Sequence, residues 1–348
     1  MRLLFPCSFG FAITGILALQ ACDSSTTDPN TGLSPGVAPK NPGGPPPDGT
    51  GTIALAISKL YFGEGADGWK HYGLDIDGKT TTYRSSDVCI LTPGAQPAEQ
   101  SDGDNGIDNS FGENLFHLLT SVVPDVATTA NAALLAGDAT QLFALRDLGA
   151  GPSYSPLPGT LYRALPMSAP AWDGRDVRSI DLSSFVNETP ATPALVFSGG
   201  YMNARTWVGT PPIGIVPFDL HFPTAGHTSL PLPLSHVQVV MNIDPTNRTG
   251  SGVISAVIAT EDAVTWARNF GRDSPRAAFC GEAASEQLAY EIRQSADILL
   301  DGTNAPGQPC NAISFGIGFD AVQVTMGGPA SAPHISTADP CDAGTGAD

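Results

Sequence analysis

The stretch Ile313-Ser314-Phe315-Gly316-Ile317-Gly318-Phe319-Asp320 decides how the chain is read. Large apolar side chains fall at every second position, the period of a β-strand with one packed face. The residues between them are Ser, Gly, Gly and Asp. The other face is therefore nearly bare, and a second element is expected close against the glycines. Outward from this strand the same alternation recurs at Val237, Val239, Met241 and Ile243, and at Ile213, Ile215, Phe218, Leu220 and Phe222. It recurs again at Ile53, Leu55 and Ile57, where the intervening residues are Ala54 and Ala56. Asp77-Gly78, between Leu74-Asp75-Ile76 and Lys79 to Tyr83, predicts a hairpin, because a type I′ turn needs positive φ at both central residues.

Helical periodicity interrupts the strands. Ser110 and Glu113 have capping-box spacing, followed by Leu115, Leu118, Leu119 and Val122 until Pro124. A second short helix is expected over Val126 to Ala136, stopped by Gly137. A further helix is expected from Ser274-Pro275 to Gly302, with Leu288, Ile292, Ala296 and Leu299 on its apolar stripe. Strands, helices, strands, one helix and a closing strand do not make the regular βαβ alternation of a doubly wound sheet. The expected fold class is α+β: a single β-rich, antiparallel, sandwich-like domain over 52–326 with two helical segments. Residues 327–348, rich in Gly, Ala, Pro and Asp, read as a flexible tail.

Thirty-four acidic against sixteen basic side chains leave a net charge of −18. Nucleic-acid binding is excluded, since a phosphate backbone is held by clustered Lys and Arg. The 41% hydrophobic content supports a sizeable core. Arg2 followed by the apolar run Leu3 to Leu19 reads as a secretory signal, too short and too broken for a settled membrane span. It ends in Leu19-Gln20-Ala21-Cys22. This resembles the lipobox of bacterial lipoproteins, with Gln20 standing where a small residue is commoner. The resemblance implies cleavage of residues 1–21, acylation of Cys22 and attachment to the membrane of the bacterial cell envelope, with the outer membrane favoured. Asp23 resembles the inner-membrane retention signal of enteric bacteria, so the choice of membrane and leaflet stays open. Residues 22–51 are Pro/Gly-rich, with few large aliphatics, and are expected to form a mobile, disordered tether.

Export places the remaining cysteines in an oxidising compartment. Cys89, Cys280, Cys310 and Cys341 suggest two disulfides with three possible connectivities. The favoured pairing is Cys280 with Cys310 and Cys89 with Cys341.

The segment Ser101-Asp102-Gly103-Asp104-Asn105-Gly106-Ile107-Asp108-Asn109 resembles the acidic calcium loops of the thrombospondin type 3 and EF-hand kind. That resemblance implies Ca2+ held by Asp102, Asp104, Asn105, Asp108 and Asn109, since calcium takes six to eight hard oxygens. Gly103 falls where a ligand is expected, however, and the same side chains can serve as caps for the helix that follows. A second acidic group, Asp67, Asp75 and Asp77, reads as turn chemistry. Asp219, His221, His227 and His236 follow no zinc spacing.

HExxH and Ser-x-x-Lys are absent from the mature sequence, and its Gly-x-Ser-x-Gly match, Gly32-Leu33-Ser34-Pro35-Gly36, falls within the Pro/Gly-rich tether, so a non-enzymatic role is expected and a secreted hydrolase ranks last. Trp69 and Trp207, in Gly-rich surroundings, are the candidates for stacking on sugar rings. The expectation is thus an envelope-anchored structural or binding protein, with calcium-assisted carbohydrate binding as the alternative. The partner is the membrane, reached through the lipid, together with a glycan or another envelope protein.

Overall fold

The computed structural model describes residues 36–210, 216–220, 230–273 and 281–332. Cys22, Cys280, Cys341, His221, His227 and the Ser274-Pro275 helix start lie outside them, as does the segment 1–35 with its signal and lipobox. In chain order the regular elements are β1 (Thr52–Tyr61), α1 (Phe116–Val122), α2 (Val126–Ala136), β2 (Thr140–Arg146), β3 (Gly159–Ala164) and β4 (Val177–Asp181). There follow β5 (Val196–Phe197), β6 (Tyr201–Asn203), β7 (Thr206–Gly209), β8 (Val216–Leu220), β9 (Leu230–Asp244) and β10 (Thr249–Ala259). The series ends with α3 (Thr260–Asp273), α4 (Glu282–Gln294) and β11 (Ala312–Ala330). The protein is α+β and β-rich, as its alternating apolar pattern requires.

The strands form one continuous sheet in the order β1-β2-β3-β4-β11-β10-β9-β7-β6, with β5 on β3 and β8 on β9. All pairings are antiparallel except β11 with β4. Because β1 also pairs with β11, the strands β1, β2, β3, β4 and β11 close into a ring. The long β11 makes this possible. Its first residues pair with β10 alone, Gly318 to Val322 run between β10 and β1, and its last residues, beyond the end of β10, take up β4.

The alternation in β1 now has a cause. Ala54 and Ala56 share a small core with Leu142, Ala144, Tyr162, Ala164, Ile180 and Val324, contributed by all five strands of the ring. A ring this narrow has room for alanine at β1 and little more. The alternate residues Leu55 and Ile57 join the main core with Phe143, Trp207, Met241 and Phe319, and the four helices pack there as well. No single helix among the described residues is long and apolar enough to cross a membrane.

The bare face of β11 is covered as its glycines require. A Cβ on Gly316 would lie 2.3 Å from the Tyr72 carbonyl oxygen, and one on Gly318 would lie 2.3 Å from the Tyr72 ring. The segment around Trp69 to Leu74 therefore rests directly on the strand.

Several expectations are corrected. Asp77-Gly78 does not turn a hairpin, because neighbouring carboxylates take the amide donors a partner strand would need (below). Ser110 is already helical, and its hydroxyl donates to the Ser295 carbonyl. Asn109 is the residue that caps the helix, accepting from the Gly112 amide. The C-terminal helical pattern ends at Gln294, so Ala296 and Leu299 are buried in an irregular segment instead. An additional helix, α3, continues straight from β10 without a turn residue, and its β-forming Val264, Thr265 and Trp266 hide its start. Residues 36–50, expected to be mobile tether, run along the body: the amides of Asp75 and Ser155 donate to the carbonyls of Gly36 and Pro45, Tyr201 and Asn203 donate to those of Pro39 and Lys40, and the Gly49 amide donates to the Asp147 carbonyl. Finally, β11 extends past 326 to Ala330.

Cys89 is bonded to Cys310, not to Cys341, and this overturns both favoured pairings. The two thiols meet because the Ile90 amide donates to the Gln308 carbonyl and the Cys310 amide donates to the Ile90 carbonyl, which lays two distant segments side by side. The bridge joins residues 221 apart in sequence. Its removal by Cys89→Ser and Cys310→Ser is expected to cost about 2–5 kcal/mol, the usual range for a native disulfide. Urea unfolding of the double variant checks the cost, and non-reducing peptide mapping checks the pairing.

Candidate metal centre

Five aspartates converge below the end of α4. Asp75 and Asp77 come from the irregular segment after Leu74, Asp102 and Asp108 from the loop before α1, and Asp297 from the segment after α4. Asp75, Asp77 and Asp108 each offer a carboxylate oxygen, and these oxygens lie within 4.8 Å of one another.

Local chemistry explains why the 75–81 segment is not a strand. Asp108 Oδ2 accepts from the amides of Ile76, at 2.6 Å, and Asp77, at 3.3 Å. Asp75 Oδ1 accepts from the Gly78 amide and Asp77 Oδ1 from the Lys79 amide. Asp102 Oδ2 accepts from the Thr81 amide, whose carbonyl takes the Asp102 amide in return. Aspartate side chains compete well for nearby backbone donors, and here they take nearly all that the segment has. At the protein's interior edge, Asp297 accepts from both the amide and the hydroxyl of Ser314.

The electrostatics are adverse. Asp108 is only 3% exposed, and burial followed by the charges of Asp77, Asp102 and Asp297 holds its carboxyl well above the usual range. Burial, with Asp77, Asp297 and Asp75 adding to it, pushes Asp102 up to about 8. Burial likewise raises Asp297 to about 7, against the opposing hydrogen bonds from Ser314. Asp75 and Asp77 are raised mainly by burial too. Lys79 is the nearby cation that eases Asp77, yet its ammonium group is spent on Asp87 and on the carbonyls of Asp87 and Asn304.

Beside Asp102, the hydroxyl of Thr81, a residue 2% exposed whose amide is bonded to that carboxylate, lacks a partner in hydrogen-bonding geometry, whereas the Asp77 side chain is held by Asn304. Buried polar atoms of this kind are uncommon and call for an explanation. The donor set is all oxygen and strongly anionic, the chemistry of a hard divalent cation. The residues present fit a hard divalent cation, and Asp75, Asp77 and Asp108, whose oxygens lie within 4.8 Å of one another, would be nearest to it.

The nine-residue loop is only partly the centre that its resemblance implied. Asp108 belongs to the cluster and Asp102 borders it. Asp104 instead pairs with His71 at 2.8 Å, on the exposed side. Asn105 turns the loop with φ of 56°. Asn109 is spent on structure: its amide nitrogen donates to the carbonyls of Trp69 and Tyr72, and its oxygen accepts from Gly112 and Gly316. Asp75 and Asp77, read from sequence as turn residues, are turn residues and cluster members at once. Asp67 is not part of the group and pairs with Lys70. Asp297 carried no sequence signal, since only folding brings it beside the others.

Trp69 and Trp207 are not sugar platforms. They are 4% and 0% exposed, and the Trp207 indole donates to the Leu157 carbonyl inside the main core. A separate cleft of about 220 Å³, lined by Ile53, Leu148, Met202, Arg205, Ile243 and Pro245 among others, holds no carboxylate, histidine or nucleophile. No family model, curated protein or solved structure matches the chain.

The raised carboxyls give stability a definite pH dependence in the absence of a cation. With folded values of about 8 for Asp102 and about 7 for Asp297, against about 4 in the unfolded chain, the native state binds more protons across that interval. Stability contributed by these groups is full below about pH 4 and is lost as pH rises toward 8. Melting curves in chelator are expected to fall from pH 5 to pH 8, and millimolar calcium is expected to flatten that fall.

Proposed function

We propose that this chain is a lipid-anchored protein of the bacterial cell envelope with a structural or binding role, and that its β-rich body is stabilised by bound calcium. The observation that carries the calcium reading is the convergence of Asp75, Asp77 and Asp108 in a setting where their charges are costly without a counter-ion. The lipid anchor rests on Leu19-Gln20-Ala21-Cys22. Lipidation at Cys22 would hold the body at a membrane, since each buried acyl methylene contributes about 0.8 kcal/mol. After cleavage the chain is more acidic still, so an anionic membrane surface repels the body and the anchor alone keeps it there. Carbohydrate binding through Trp69 and Trp207 loses its support, because both rings are buried.

A cation that binds only the native state raises its stability, by about 2.7 kcal/mol at a hundredfold excess over Kd. Calcium is expected to raise the melting temperature of the mature chain saturably. Asp108→Asn keeps an acceptor for the Ile76 amide while removing a charge. It is expected to raise the melting temperature in chelator at pH 8 and to abolish the calcium shift. If calcium produces no shift in the wild type, the cluster is a set of turn caps and the metal reading is wrong. For the anchor, Cys22→Ala is expected to move the protein from the membrane fraction to the soluble fraction.

A further inference from the structure

The main core is open to solvent at one end. There the cleft of about 220 Å³ lies between the start of β1, the end of β9, the β6–β7 hairpin and the loop from Leu148 to Gly151. Met202 and Ile243, 2% and 4% exposed, belong to the main core, and the half-buried Ile53 and Leu148 pack against it. The loop wall is anchored at both ends. The Asp147 amide donates to the Gly51 carbonyl, and the Gly151 amide donates to the Tyr154 hydroxyl. An apolar cavity of about 150 Å³ accepts benzene, so this cleft has room for one substituted ring or a short alkyl chain.

One charged residue lines it, Arg205. This residue sits in the two-residue turn of the β6–β7 hairpin, where Asn203 pairs with Thr206. Ala204 and Arg205 have φ of 48° and 68°. A type I′ turn requires such angles and is ordinarily built from Asn-Gly or Asp-Gly, because a Cβ is strained there. The turn is held in this shape by its neighbours. The Ala204 amide donates to the Ser153 hydroxyl, the Arg205 amide donates to the Pro152 carbonyl, and the Arg205 carbonyl accepts from the Ile243 amide. Glycine would suit position 205 better, so the arginine stands there at a local cost. Backbone strain of this kind collects at sites that hold ligands.

The charge of Arg205 is also unspent. Among the described residues no ion pair or hydrogen bond engages its guanidinium. Asp244 feels its charge, but the Asp244 carboxylate is spent on the amides of Thr246 and Asn247 and on the Asn247 side chain. We propose that the cleft binds a small amphipathic carboxylate, with its chain or ring against Ile53, Leu148, Met202 and Ile243 and its head group on Arg205. A planar guanidinium meets a carboxylate through two parallel hydrogen bonds. The net charge of −18 repels anions from the surface at large, so a lone arginine over an apolar cleft selects where one docks. The lining offers no nucleophile, acid or base, and the ligand is held and released unchanged. This goes beyond the function proposed above and needs neither the calcium nor the lipid anchor.

The test uses the mature chain, residues 22–348, made without its lipid so that no detergent competes for the probe. The probe is octanoate, with 1-octanol as the uncharged control, and ligand-observed NMR gives each Kd. Octanoate is expected to bind saturably. Arg205→Gly is expected to weaken octanoate at least about fivefold, the low end for a hydrogen bond to a charged group. The same variant should leave 1-octanol unchanged and the melting temperature equal or higher, since glycine relieves the turn. Ile53→Trp fills the cleft and should weaken both probes. If octanoate does not saturate at millimolar concentration, or if Arg205→Gly leaves its affinity unchanged, the proposal is wrong. If Ile53→Trp alters neither probe, the ligand lies elsewhere and the cleft is not the site.

Discussion

Everything near the aspartate cluster depends on the side chain that β11 lacks at Gly316. A strand with an empty face must be covered, and here the cover is backbone: the Tyr72 carbonyl sits where a Cβ would be. Asn109 fixes that arrangement with four hydrogen bonds, holding the Trp69 and Tyr72 carbonyls with its nitrogen and the Gly112 and Gly316 amides with its oxygen. It joins the start of a helix, a loop and the central strand at one buried point. A neutral amide suits this position because it has donors and an acceptor to spend, and an acid could satisfy only half of the partners.

With the loop and the helix start pinned, the segments on either side have little choice of path. Leu74 to Thr81 leaves the strand surface beside Ser101 to Asp108, and Asp297 arrives from the end of α4, bonded to Ser314 on the same face of β11. The aspartates that satisfy local amides are thereby crowded together. Their hydrogen bonds favour the charged forms, but burial outweighs them, and every one of the five carboxyls is shifted upward. Such a site needs protons or a cation to balance it, and the all-oxygen donor set selects a hard one.

Much of the body was legible in the sequence because strand periodicity depends on burial alone. Ile313 to Phe319, Val237 to Ile243 and Ile53 to Ile57 are strands where the alternation placed them, and α2 ends at Gly137 as the glycine indicated. Reading failed where two local signals competed. Asp77-Gly78 carries a hairpin signature, but Asp75, Asp77, Asp102 and Asp108 capture the donors a second strand would have used. The helix α3 was concealed by β-branched and aromatic residues, whose apolar faces serve the core equally well in either conformation. The tryptophans looked loop-borne because glycines surround them. Those glycines are there to let Trp207 fit: a Cβ on Gly159 or Gly209 would collide with its ring at 2.3 and 2.4 Å.

What the sequence by itself determined is whatever depends on neighbours along the chain: strand period, helix stop, the acidic balance and the export and lipidation signature it resembles. What only the tertiary structure decided is whatever depends on residues distant in sequence. Cys89 pairs with Cys310 across 221 positions, β1 closes a ring through β11, and Asp297 joins Asp108. No spacing rule records such contacts, because they are set by which surfaces must be buried together and not by the order in which their residues are joined.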